Sequence, residues 1–200
     1  MAASAPSSPT TRRTHERLVA ATRAEIAATG SFTAERVAAR AGSSPATFYT
    51  YFPSKADALA AAFESVMRDL VSFTERELSI ERLLDTGLEE RCRGLTEASA
   101  RFFAEHEHLF RCALAALPES RTLREIYRSH ESAAYENYRL FVERGQRAGQ
   151  VRTGEAEPIA RGLLVLMQGL NNPQVLHGAP GDPVRCELGR ALFAYLQPDT

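Results

Sequence analysis

Two helix-start signals only ten residues apart, at Ser44 and Ser54, constrain this chain more than any other feature of it. Ser44 can cap a helix, and Pro45 takes its first position, where a missing N–H costs nothing. Pro53 pushes Phe52 out of the helical region, so that helix lasts only to about Thr50. Ser54 then caps a second helix, with Asp57 reaching back as in a capping box and an apolar run behind it. The clipped helix exposes hydroxyls (Ser44, Thr47, Tyr49) instead of acids. Phe48 and Phe52, four apart, read as core aromatics, and Tyr51 also reads as structural. Lys55 falls in the first turn of the next helix, where the positive dipole end favours acids. An anion sharing the site would remove that conflict, and helix N-termini are natural phosphate sites. It is the only lysine among the 24 Lys and Arg residues.

Around this stretch the chain reads as helix throughout. Residues 1–11 are rich in Ala, Ser, Pro and Thr and read as a disordered arm. Leu18, Ala21 and Ile26 recur at helical spacing between Arg12 and Thr29, with Gly30 as a stop. Thr33 caps a short helix that Gly42 ends. A short helix, a Gly-containing turn and the Ser44 helix together make a helix-turn-helix, whose second helix enters the DNA major groove. The fourth helix runs from Ser54 to about Leu78, the fifth from Glu81 to Glu105, the sixth from Glu107 to Leu117, and the seventh from Ser120 to Ala148. Pro158 opens an eighth that runs to Asn171. A Pro/Gly/Asn-rich break over 172–183 precedes the ninth. No stretch alternates with period two for long enough to form a sheet. The expected fold is all-α with about nine helices, divided into the arm (1–11), a DNA-binding head (12–53) and a connecting helix with a bundle (54–200).

Composition excludes several classes. With 200 residues, 44% hydrophobic and 24% charged, the chain can bury a sizeable core. Net charge is only −1, yet Met1–Ala60 carries seven basic and four acidic residues, a local +3 that leaves −4 for the rest. That is the sign expected of a basic head on an acidic body. Cys92, Cys112 and Cys186 are isolated, so neither disulfides nor a zinc site is suggested, and a reducing cytoplasm fits. No signal-peptide core is seen, and the apolar run Gly162–Leu170 is too short to span a bilayer. No enzyme motif (G-x-S-x-G, H-E-x-x-H, phosphate loop, dinucleotide fingerprint) occurs, so no catalysis and no cofactor are expected. His106 and His108, flanked by Glu105 and Glu107, invite a metal reading. Spacing by two points them to roughly opposite faces of a helix, and a solvated helix junction is the better account.

The run Ala38-Ala39-Arg40-Ala41-Gly42-Ser43-Ser44, followed by Thr47-Phe48-Tyr49-Thr50-Tyr51-Phe52-Pro53-Ser54-Lys55, resembles the DNA-binding head of tetracycline-repressor (TetR) family regulators. The likeness covers about the first quarter of the chain; the remainder is similar in helix count, length and order. It implies a helical dimer that binds a palindromic double-stranded operator through the head and a small-molecule effector through the body, usually as a ligand-released repressor. A DNA-binding protein without small-molecule control is the alternative. By position, the resemblance implies that Thr33 donates to a phosphate and that Ser44, Thr47 and Thr50 meet phosphates and base edges. It likewise makes Tyr49 a backbone contact and Lys55 the phosphate-binding lysine. Ala46 stands where a glycine is common, adding a methyl that could touch a thymine methyl. Pro45 stands where a basic or polar residue is common, so one contact is absent. Arg12 and Arg13 read equally as groove contacts and as an unstructured basic tail.

In the body, Phe102, Phe103, Phe110, Tyr127, Tyr138, Met167 and Asn171 are candidates to line an effector pocket, since bundles bind ligands between helices. Most of the aromatics also read as helix-packing residues, and Asn171, Asn172 and His177 either supply polar contacts or end the helix. The eighth helix is apolar on nearly all sides and needs burial on nearly all sides. Leu163, Leu166, Leu170, Leu188, Leu192 and Phe193, with Gly162 and Gly189 allowing close approach, fit a two-fold interface with a second copy. A larger core within the chain is the alternative.

Overall fold

The computed structural model describes residues 9–179 and 181–198. The described residues form ten α-helices and no strand: α1 (Pro9–Thr29), α2 (Ala34–Arg40), α3 (Pro45–Tyr51), α4 (Lys55–Glu77), α5 (Ile80–Thr86), α6 (Leu88–Ala116), α7 (Arg121–Arg147), α8 (Ala156–Gln168), α9 (Pro173–Leu176) and α10 (Pro183–Leu196). A 3-10 turn, Gly169–Asn171, extends α8. The all-α fold is the one the sequence predicts. Of the arm expected over 1–11, residues 1–8 lie outside the described residues, and Pro9–Thr11 form the first turn of α1. No helix among the described residues is long and apolar enough to cross a membrane.

Further boundaries differ from the sequence reading: the expected break over 172–183 holds the short helix α9, and the fifth and sixth helices are divided elsewhere. The expected fifth helix is split, because Gly87 adopts φ +78° and its N–H closes α5 on the Leu83 carbonyl at 2.9 Å. The expected break near His106 is absent. Nothing there interrupts the backbone, and Leu109, Phe110 and Ala113 keep a buried stripe running to the end of α6. His106 and His108 are therefore mid-helix, half-buried residues and not a corner.

The chain divides into two compact units. The first holds residues up to Met67 together with His106–Tyr127; the second holds Arg68–Glu105 and everything from Arg128 onward. Helices α4, α6 and α7 each give one stretch to each unit. Within the first unit, Leu18, Ile26, Val37, Phe48 and Phe63 are fully buried, and Phe63 meets Phe110 edge-on with ring centroids 5.9 Å apart. The end of α1 is held from α6: the Cys112 thiol reaches the Gly30 carbonyl at 3.4 Å.

The second unit has its own core of Leu83, Leu95, Phe141, Val142, Leu163, Leu170 and Leu196. Gly162 brings α8 and α10 together, for a Cβ there would stand 2.1 Å from the Tyr195 hydroxyl, which donates to the Ile159 carbonyl at 3.0 Å. Gly189 likewise lets α10 approach the α6 backbone at Arg93. Both glycines thus serve close packing inside the chain. The break between α8 and α10 is held by Arg185, buried and donating to the Val175 carbonyl (2.8 Å), the Leu176 carbonyl (2.9 Å) and the Glu97 carboxylate (3.2 Å).

Candidate nucleic-acid interface

The head is fixed by local punctuation. Thr33 caps α2, its hydroxyl accepting from the Arg36 N–H at 3.3 Å. Gly42, at φ +61°, ends α2 and turns the chain, and the Ser43 N–H closes the turn on the Ala38 carbonyl at 2.9 Å. Ser44 then caps α3: its Oγ accepts from the Thr47 N–H at 3.1 Å and lies 3.0 Å from the Thr47 hydroxyl. Pro45 occupies the first helical position and the chain leaves the helix at Phe52, just before Pro53. At the next start, Ser54 and Asp57 form the expected capping box: Asp57 Oδ2 accepts from the Ser54 N–H (2.9 Å) and hydroxyl (2.8 Å), and Ser54 Oγ accepts from the Asp57 N–H (3.2 Å).

Helix α3 has one buried side. Phe48 and Phe52 are buried with ring centroids 5.4 Å apart, and His15 of α1 lies 5.3 Å from the Phe52 ring. Burying a side chain such as Phe48 contributes about 1.5–3 kcal/mol. With that side inward, Ser44, Pro45, Ala46, Tyr49 and Thr50 are exposed and Thr47 is half-buried. Tyr49 is 50% exposed and packs edge-on against Phe48. Thr50 returns its hydroxyl to the Ala46 carbonyl at 3.0 Å.

Lys55 is exposed, with its ammonium 5.1 Å from the centre of the Phe32 ring. Among the described residues no carboxylate lies within ion-pair distance of it. Asp57, the nearest acid in sequence, is committed to its capping box. Glu35 feels the Lys55 charge, but its carboxyl is held below the usual range first by a hydrogen bond from its own backbone and then by the Thr33 hydroxyl. By contrast, Arg36 and Arg40 of α2 share the carboxylate of Glu25 of α1, at 2.5 and 2.6 Å. Thr33, also exposed, completes the set that the sequence assigned to nucleic acid.

This geometry has known counterparts. Residues 18–62 match the family model described as bacterial regulatory proteins, tetR family. The chain carries a TetR-family head. None of the curated proteins matches the chain. Solved structures match nearly its whole length. A regulator of the TetR family from Mesorhizobium loti is 18% identical, with 92% of this chain and 93% of that one covered, at a TM-score of 0.72. A transcriptional regulator from Saccharomonospora viridis in complex with choline is 22% identical over 90% and 94%, at 0.67. The triclosan complex of SmeT, the repressor of a Stenotrophomonas maltophilia multidrug efflux pump, is 24% identical over 93% and 92%, at 0.63. At these identities the structures establish a shared fold for the region that follows the TetR-type head.

The residues assigned to an effector are more scattered than the head. Phe102, Phe103, Tyr138, Met167 and Asn171 belong to the second unit, Phe110 and Tyr127 to the first. Tyr138 and Met167 are buried in the second unit's core, and burial raises the Tyr138 phenol pKa. Phe102 stacks on Phe73 with centroids 5.0 Å apart, and Phe103 packs against the same core. Asn171 is half-buried, while Asn172 is occupied in capping α9. Two hydroxyls, that of Tyr135, one of the body's aromatics, and that of Ser99, which the sequence did not single out, are buried with no hydrogen-bond partner among the described residues. Of the residues assigned to a dimer, Leu163, Leu170 and Leu192 fill the second unit's own core, Leu188 and Phe193 are half-buried, and Leu166 is 41% exposed. Val165 and Val184, which were not singled out, are more exposed still. Among the described residues no group of three His, Cys, Asp or Glu side chains could hold a metal ion.

Proposed function

We propose that the protein is a dimeric, sequence-specific DNA-binding regulator of the cytoplasm, a repressor released when a small molecule binds its helical body. It is a binding protein and not an enzyme. Its head (12–53) reads a palindromic operator, and residues 54–200 form the dimer and take the effector. The observation that carries this reading is exposure in the head: Tyr49 and Thr50 of α3 are exposed, and so is Lys55 at the start of α4, whose ammonium pairs with no carboxylate of the described residues. Two α3 helices of a two-fold dimer would enter successive major grooves, with Lys55 and Tyr49 on phosphates and Ala46, Thr47 and Thr50 toward base edges.

Several features support the effector. Buried polar groups normally find partners, so the orphaned hydroxyls of Ser99 and Tyr135 are places where a polar ligand atom or a water would sit. Choline and triclosan accompany two proteins of this fold. Release requires that the effector bind the non-DNA-binding arrangement more tightly than the other.

Titration of a labelled duplex at several salt concentrations tests the reading, on an operator taken from a genome-wide footprint of the tagged protein. Lys55→Ala should weaken binding to operator and to unrelated duplex alike and reduce the slope of log K against log salt by about 0.9, one phosphate's share. Tyr49→Phe should weaken both without that change of slope. Unaltered binding by Lys55→Ala would sink the proposal.

A further inference from the structure

Arg17 lies on α1, one residue before the stretch that matches the family model. Its Nη2 donates to the carbonyl of Ala41, the C-cap residue of α2, across 24 positions of sequence. A Cβ built on Gly42 would stand 2.8 Å from the same Nη2, so the guanidinium lies directly against the turn that leads into α3. A cation at a helix C-terminus is favourable, and capping α2 explains one of its N–H groups. A guanidinium has five, in a planar fork suited to two-pronged recognition of phosphate. Arg17 is exposed, and no carboxylate among the described residues pairs with it. The arginines of α2 differ in this respect, since both Arg36 and Arg40 pair with the carboxylate of Glu25.

We infer that Arg17 is a further phosphate contact of the head: the Ala41 carbonyl holds its guanidinium on the Gly42 turn, and its remaining donors take a DNA phosphate beside the recognition helix. The inference rests on the DNA-binding reading above. A residue that merely shaped the turn would alter operator recognition alone, because unrelated duplex is bound through charge and not through the placement of α3.

The test is titration of a mixed-sequence duplex between about 50 and 200 mM salt with the full chain and with Arg17→Gln, whose fold is checked by its helical signal and melting temperature. Arg17→Gln should bind about tenfold more weakly at the low-salt end and show a slope smaller by about 0.9. Arg17→Lys, which keeps the charge and loses the fork, should recover most of the slope. If Arg17→Gln binds unrelated duplex with the parent slope and affinity, Arg17 makes no phosphate contact and the inference is overturned. Absence of binding by the parent protein would instead overturn the DNA-binding reading and this one with it. Should Arg17→Gln not fold, the Arg17 Nε–Hε resonance of the parent protein decides the matter. Duplex should shift it and salt should reverse the shift; an unmoved resonance overturns the inference.

Discussion

At the scale of single residues, the head depends on one buried acid. Glu25 is 5% exposed at its side chain and bridges α1 to two arginines of α2. Its carboxyl is held below the usual range, chiefly by the hydrogen bond from Arg40, against the opposing effect of burial. A depressed folded-state pKa means that the contribution to stability is fully present above the unfolded carboxyl's pKa and is lost as pH falls through the folded one. Melting curves should therefore show Glu25→Gln less stable than the parent at neutral pH, because the amide leaves Arg36 and Arg40 uncompensated. The gap should narrow as pH drops through and below the ordinary carboxylate range, where the parent loses the same charge. A gap independent of pH would mean that the ion pairs do not stabilise the head.

At the scale of elements, Gly87 separates two helices that one apolar stripe would have joined. Its φ of 78° and ψ of 162° lie in a region essentially restricted to glycine, and nothing stands within 4 Å of where a Cβ would project. The cost of Gly87→Ala is then purely one of backbone, about 1–3 kcal/mol, read as a lower denaturation midpoint with unchanged denaturant dependence. The same residue shows why the head was legible in sequence and the body less so. Caps at Thr33, Ser44 and Ser54, the turn at Gly42 and the stop at Pro53 are local signals, each acting within a few residues. Between α5 and α6, Leu84, Leu88 and Cys92 kept a helical period across Gly87 and hid the break. At Glu105–His108 a polar cluster suggested a junction with no Gly or Pro to make one. Arg17 was invisible for a different reason: its partner carbonyl is 24 residues away, and nothing local separates it from Arg12 and Arg13.

At the scale of the whole molecule, the question is which apolar side of α8 belongs to the chain itself. Leu163 to Met167 are apolar in succession, so periodicity alone could not choose a side. The second unit's core takes Leu163, Met167 and Leu170. Val165 and Leu166 of α8 are left exposed at 65% and 41%, and Val184 of α10 at 49%. Large apolar side chains left exposed, as Val165 and Leu166 are at adjacent positions of α8, are a liability for a lone subunit and an asset in an interface. The proposed two-fold dimer would bury them against their own copies. Replacing both Val165 and Leu166 by Glu should then give a monomer by light scattering, with parental helicity and operator affinity weakened by far more than one phosphate's worth, since a monomer engages a single half-site. Leu163→Glu supplies the contrast: it puts an unpaired charge in the subunit's own core and should lower stability before it changes assembly. A doubly substituted protein that remained a dimer would place the interface elsewhere, leaving the head's chemistry intact and the spacing of the two α3 helices to be set by another face.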